Sequence, residues 1–170
     1  MKNILGDLDN ISFLPRKPKP MGTELKAACG AMTRIVTWIE IQEGQDRMRK
    51  KKFATEIGVQ GSVVARLAEE GSREGDLICG DSWFASVKAA VKVSKLGRHF
   101  IGPVKTCHAG FPKSALEAIM APLPGGSKIV MTTTFDGVPL LAIGYKYSRS
   151  SVRLIQIVGM FLNVSVAAVN

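Results

Sequence analysis

Residues 76–105 read DLICGDSWFASVKAAVKVSKLGRHFIGPVK, and the architecture follows from this run. Asp76-Leu77-Ile78-Cys79-Gly80-Asp81 is short and apolar in its middle, as a buried strand is. Ser82-Trp83-Phe84-Ala85 reads as the turn after it. Ser86 offers a side-chain oxygen to cap the helix that Val87 to Leu96 would form. On that helix Val87, Ala90, Val91 and Ser94 share one face, and Lys88, Lys92 and Lys95 lie on another. Gly97 is placed to end it in the left-handed conformation. His99 to Lys105 is then the next strand. Strand, helix and strand in this order predict a parallel βαβ unit with a right-handed crossover, hence an α/β fold.

Upstream, 61–70 carries Val63, Val64 and Leu67 at helical spacing, with Ser62 as a candidate cap. Gly71 and Gly75 bracket a loop. The runs 23–29 and 34–41 are strand-like, the second rich in β-branched and aromatic residues, and together predict a hairpin. Its turn falls at Gly30-Ala31 or at Met32-Thr33, and Glu43-Gly44 closes it. Residues 1–21 form an extended lead-in, in which Pro15, Pro18 and Pro20 withhold N–H donors. Downstream, a short helix is expected over 114–120, and Pro122-Leu123-Pro124-Gly125-Gly126 breaks the chain. Three strands follow at 127–135, 138–147 and 152–159, with Asp136-Gly137 as a hairpin turn. This organisation gives a core over 22–121, a β-rich region over 122–159, and an apolar tail over 160–170 that Asn163 and Ser165 interrupt.

The chain has 170 residues, about one domain's worth. Its 46% apolar and 22% charged residues are ordinary for a globular protein and wrong for a disordered one. Cys29, Cys79 and Cys107 are too few and too scattered for a disulfide framework. No apolar run is long enough for a membrane helix, and Asp7 and Asp9 stand where a signal peptide needs its apolar stretch. The composition excludes a disulfide-stapled secreted protein, a collagen, a coiled coil and an integral membrane protein, and leaves a soluble, basic, intracellular domain.

Lys and Arg number 23 against 14 Asp and Glu, a formal charge of +9. The positive charge is clustered. Arg16, Lys17 and Lys19 alternate with prolines, and Arg47, Arg49, Lys50, Lys51 and Lys52 crowd one short run. Lys88, Lys92, Lys95, Arg98 and Lys105 follow the helix and strand of the βαβ unit. Such clusters steer phosphate and release counterions on binding, so they are candidate nucleic-acid contacts; the plainer reading is a solvated surface. Candidate chemistry is sparse. Cys107 and His108 are adjacent but have no second pair to make a zinc site, and neighbouring side chains on an extended backbone point apart. No P-loop pattern is present. Asp81 stands out because it ends an apolar strand, where open α/β sheets gather active-site groups and where a carboxylate can hold Mg²⁺. Its plainer role is to cap the following turn.

The order of motifs resembles the piggyBac-type transposases. Arg16-Lys17-Pro18-Lys19-Pro20-Met21-Gly22 with Lys26 is similar to the basic, proline-bearing segment that precedes the hairpin of that family's catalytic core. Ile39 to Gly44 looks like the hairpin's second strand. Gly80-Asp81-Ser82-Trp83-Phe84-Ala85-Ser86 resembles the motif bearing the second carboxylate of a DDE/D site. Val104-Lys105-Thr106, Gly110-Phe111-Pro112-Lys113, and Leu140 to Tyr147 resemble later family segments in the right order. The resemblance implies a partial RNase H-like mixed sheet with an inserted antiparallel β region. It also implies a nuclear, DNA-binding protein whose family cuts and joins DNA with Mg²⁺ held by three carboxylates, Asp81 here being catalytic and metal-binding. The family's first acid would precede the RKPKP segment, and no acidic residue follows Val158 to serve as the third. One carboxylate of three is therefore expected, in a domain truncated at both ends and inactive alone. The alternatives are a basic, non-catalytic DNA-binding protein derived from a transposon and, last, an RNA-associated protein.

Overall fold

The computed structural model describes residues 11–13, 15–104, 109–148 and 151–158. The chain divides into two compact units, Met1–Ser72 and Arg73–Asn170. The first begins with β1 (Ser12–Phe13) and β2 (Met21–Gly22), which pair antiparallel. The three prolines fall in the connection between them, where their missing N–H groups cost no ladder bond. Strands β3 (Leu25–Cys29) and β4 (Val36–Ile41) form the expected hairpin, with Leu25 opposite Ile41 and Ala27 opposite Ile39. Its turn spans 30–35: Arg34 donates its N–H to the Gly30 carbonyl and takes a left-handed φ of 59°.

Alternation then sorts the hairpin's residues into two faces. Lys26, Ala28, Trp38 and Glu40 form one face, and that of Trp38 and Glu40 meets α2 (Ala54–Gly71). Leu25, Ile39 and Ile41 lie on the other face and remain 55%, 58% and 44% exposed. This reverses the usual amphipathic order, since charge faces inward and aliphatic surface faces water. Gly71 makes the approach of α2 possible, because a Cβ there would lie 2.7 Å from that of Trp38. The short α1 (Gln45–Lys50) is anchored by Met48, which is fully buried.

The sequence places a helix start at Ser62, and the structure starts α2 eight residues earlier, at Ala54. Phe53, at a φ of 67°, turns the chain into a first turn, and Gly58, at a φ of 81°, breaks the helical path before the long segment resumes. Ser62 sits inside that segment, donating to the Val59 carbonyl at 2.7 Å. It caps nothing because Val59 to Gly61 already continue the helix.

In the second unit the βαβ reading holds. Strand β5 (Leu77–Cys79) pairs in parallel with β6 (His99–Pro103), and α3 (Val87–Lys95) links them. The Ser86 oxygen accepts from the Ala89 N–H at 3.2 Å, which caps α3. Gly97, at a φ of 77°, donates to Ser94, and Arg98 donates to Val93, completing a Schellman end. Helix α3 packs on β6 with Ala89, Ala90 and Val93 buried, and Phe100 is fully buried. Burying a side chain like Phe100 contributes about 1.5–3 kcal/mol.

After α4 (Lys113–Met120), β7 (Lys128–Phe135), β8 (Val138–Ser148) and β9 (Ser151–Val158) run antiparallel. Asp136 and Gly137 take φ of 52° and 77°, the double left-handed turn that Asp-Gly favours. Strand β9 also pairs antiparallel with β6, so the five strands form one mixed sheet in the order β5-β6-β9-β8-β7. Leu116 and Ala142 centre its α4 side, with Phe111, Ile129 and Met131 packed around them. Lys146 is only 4% exposed and donates from Nζ to the carbonyls of Met120 and Ala121 at 3.1 and 2.7 Å, closing the end of α4. The mixed α/β class with an antiparallel β extension is as the sequence predicts.

Candidate functional site

Asp81 is positioned by two glycines. At the end of β5, Gly80 donates to the Ile101 carbonyl at 2.9 Å, prolonging the ladder by one bond. A Cβ on Gly80 would lie 3.0 Å from the Phe100 ring, and one on Gly102 would lie 3.0 Å from the Ala85 Cβ. With both side chains absent, the turn 81–85 rests directly on β6. The Asp81 carbonyl accepts from the N–H groups of Phe84 and Ala85, and its Oδ1 accepts from the Trp83 N–H at 2.8 Å. Trp83 and Phe84 meet edge to face, their centroids 4.7 Å apart. Asp81 therefore organises its own turn through one oxygen while remaining exposed at the carboxyl end of a parallel strand.

Among the described residues no three His, Cys, Asp or Glu side chains come together as a group that could hold a metal ion. A two-metal centre needs several acidic groups around its ions, so these residues do not fit one. His99 lies in β6, and Cys107 and His108 fall outside the described residues.

The basic candidates separate by environment. Arg16, Lys17 and Lys19 are exposed between β1 and β2 and make no ion pair among the described residues. Within 47–52 the cations differ. Arg47 lies 3.6 Å from Glu43, one helical turn away. Lys51 bridges Glu43 at 2.7 Å and Glu40 at 3.3 Å. Lys52 grips both oxygens of Glu69 at 2.6 Å and lies over the Phe53 ring. Arg49 and Lys50 are exposed, with no acidic partner among the described residues. On α3, Lys88 is exposed, Lys92 is half-buried, and Lys95 pairs with Asp136 at the β7–β8 turn. Lys105 lies outside the described residues.

Sequence reasoning missed the centre of this network, Arg66. Its guanidinium is buried, forks onto both oxygens of Glu40 at 2.7 and 2.6 Å, and donates to the Lys52 carbonyl and Ser62 Oγ at 2.8 and 2.9 Å. The signal was present: a lone Arg interrupts Val63-Val64-Ala65-Arg66-Leu67-Ala68, where an apolar face must take it inward. The Lys51 hydrogen bond holds the Glu43 carboxyl below the usual Glu range, with the charges of Lys51 and Arg47 adding to it and lost hydration opposing.

The chain thus combines a mixed α/β sheet, an exposed carboxylate at the carboxyl end of its parallel strand β5, and cations in excess. The family model described as Transposase IS4 matches residues 3–155, and the chain belongs to that family. A cryo-EM structure of a piggyBac transposase synaptic complex with hairpin DNA matches it with a TM-score of 0.70 at 18% identity, over 88% of this chain and 29% of that one. At that identity the likeness is one of fold, and it bears out the piggyBac-type, partial RNase H-like architecture expected from the motifs. The chain spans 29% of the length of that transposase chain. A search of the curated proteins finds no match. The family implies dependence on a divalent metal in general. No helix among the described residues is long and apolar enough to cross a membrane.

Proposed function

We propose that this chain is a portion of a transposase catalytic domain that binds duplex DNA without sequence preference and does not cut it alone. The observation that supports the second half is at Asp81: among the described residues no group of three His, Cys, Asp or Glu side chains forms around it that could hold a metal ion. The first half is supported by the exposed cations Arg16, Lys17, Lys19 and Lys88, which make no ion pair among the described residues, and by the DNA that the matched transposase structure contains. The same reading puts the protein in the nucleus. Purified protein incubated with transposon-end DNA and Mg²⁺ or Mn²⁺ should leave it intact. Clean cleavage that Asp81→Ala abolishes would overturn the inactive reading.

A second reading, a non-catalytic DNA-binding protein of transposon origin, draws on the same cations. It separates from an RNA-associated protein by competition: duplex DNA should displace the bound probe better than RNA of equal length. No aromatic-rich stacking motif supports the RNA alternative.

A further inference from the structure

We infer that the basic run 47–52 is two devices interleaved in sequence: Arg49 and Lys50 form a clamp for duplex phosphates, while Arg47, Lys51 and Lys52 neutralise the carboxylates behind it. This deepens the DNA-binding reading and rests on it. Met48 fixes the orientation of α1, since its full burial turns that side of the helix inward and leaves Arg49 and Lys50 exposed. Three acids stand behind α1, on β4, on the segment before the helix and on α2, and a fourth, Asp46, is exposed in the first turn of α1 itself. Glu40, Glu43 and Glu69 are each held by at least one cation of the run, and Glu40 also by Arg66.

An uncompensated carboxylate beside a phosphate site repels the ligand, and burial of Glu40 would sharpen that repulsion. The pairing cations remove it at Glu40, Glu43 and Glu69, while Asp46 keeps its charge in water, where repulsion is screened. They are also the wrong groups to bind phosphate, because each would first have to leave a carboxylate it is paired with, at 3.6 Å for Arg47 and at hydrogen-bonding distance for Lys51 and Lys52. Lys51 would give up two, together with its bond to the Ile41 carbonyl at 3.3 Å. Arg49 and Lys50 have no such partner to surrender among the described residues. Adjacent on an exposed helical turn, they can reach neighbouring phosphates of one strand.

The test is the salt dependence of binding to a mixed-sequence duplex, measured on the full chain. Each phosphate contact contributes about 0.9 to the slope of log affinity against log salt. Arg49→Gln with Lys50→Gln should flatten the slope by about 1.8 and weaken binding about tenfold or more at low salt. Lys52→Gln should keep the parent slope. Urea unfolding of each variant shows that it is folded, and Lys52 is chosen over Lys51 because its side chain is 57% exposed. An unchanged slope in the double variant, or equal flattening by Lys52→Gln, overturns the division while DNA binding itself stands. A parent protein with no affinity for duplex at low salt overturns both.

Discussion

Arg66 shows how a single side chain ties the first unit together. Its side chain is 6% exposed and that of its partner Glu40 9%, so each charge is paid for by the other. Arg66→Ala strips buried Glu40 of its two-pronged partner, leaves it only Lys51 at 3.3 Å, and should cost about 3 kcal/mol in urea unfolding. Arg66→Lys should recover only part of this, because an ammonium cannot fork onto two oxygens and reach Ser62 as well. A loss below about 1 kcal/mol for the alanine variant would show that the pair is not desolvated as described. Asp81 is the opposite case. Its plainer reading holds, since its Oδ1 caps its own turn, and the residue stands at the strand end where the apolar run puts it. The carboxylate was legible from the apolar run before it. The acid partners of Lys51 and Lys52 were not, because they lie on β4, on the segment before α1 and on α2, and local spacing does not report such pairings.

Elements with chemical punctuation at both ends were the readable ones. Helix α3 has Ser86 before it and Gly97 after it, and both act as their residue types suggest. Gly97→Ala tests the C-terminal stop. Its φ of 77° disfavours a Cβ, and that Cβ would lie 3.0 Å from the Glu74 Cγ. The variant should be destabilised by about 1 kcal/mol, read from the thermal midpoint. A wild-type midpoint would mean that the end of α3 relaxes without strain. Helix α2 was misread for a related reason. Its start uses Phe53 in a left-handed conformation instead of a polar cap, and Gly58 splits it, so its beginning does not carry the usual signal, whereas its end at Gly71 falls where the sequence places the loop. The Asp136-Gly137 turn was legible because only a few residues tolerate positive φ at two successive positions. Lys146 was seen only as a member of a motif. Its task of closing α4 depends on a contact across 25 residues or more, which no local pattern reveals.

At the scale of the molecule, the parallel pair β5–β6 followed from the βαβ pattern, whereas the antiparallel docking of β9 on β6 did not. Antiparallel partners are chosen by packing after the chain has returned, and strands 127–135, 138–147 and 152–159 could have closed among themselves. The hairpin of the first unit was legible as a hairpin, but not which face would be covered. Lys26 and Glu40 would ordinarily turn outward, and here the demand of Arg66 for Glu40 sets the register. The aliphatic face left in water should bind the dye ANS in the native protein. Leu25→Thr with Ile39→Thr, which keep strand propensity on β3 and β4 and remove most of the patch, should abolish most of that fluorescence. Undiminished fluorescence in the double variant would locate the dye elsewhere. Inside a crowded cell such a surface is adhesive, and a holdase chaperone would treat the finished molecule much as it treats a late folding intermediate.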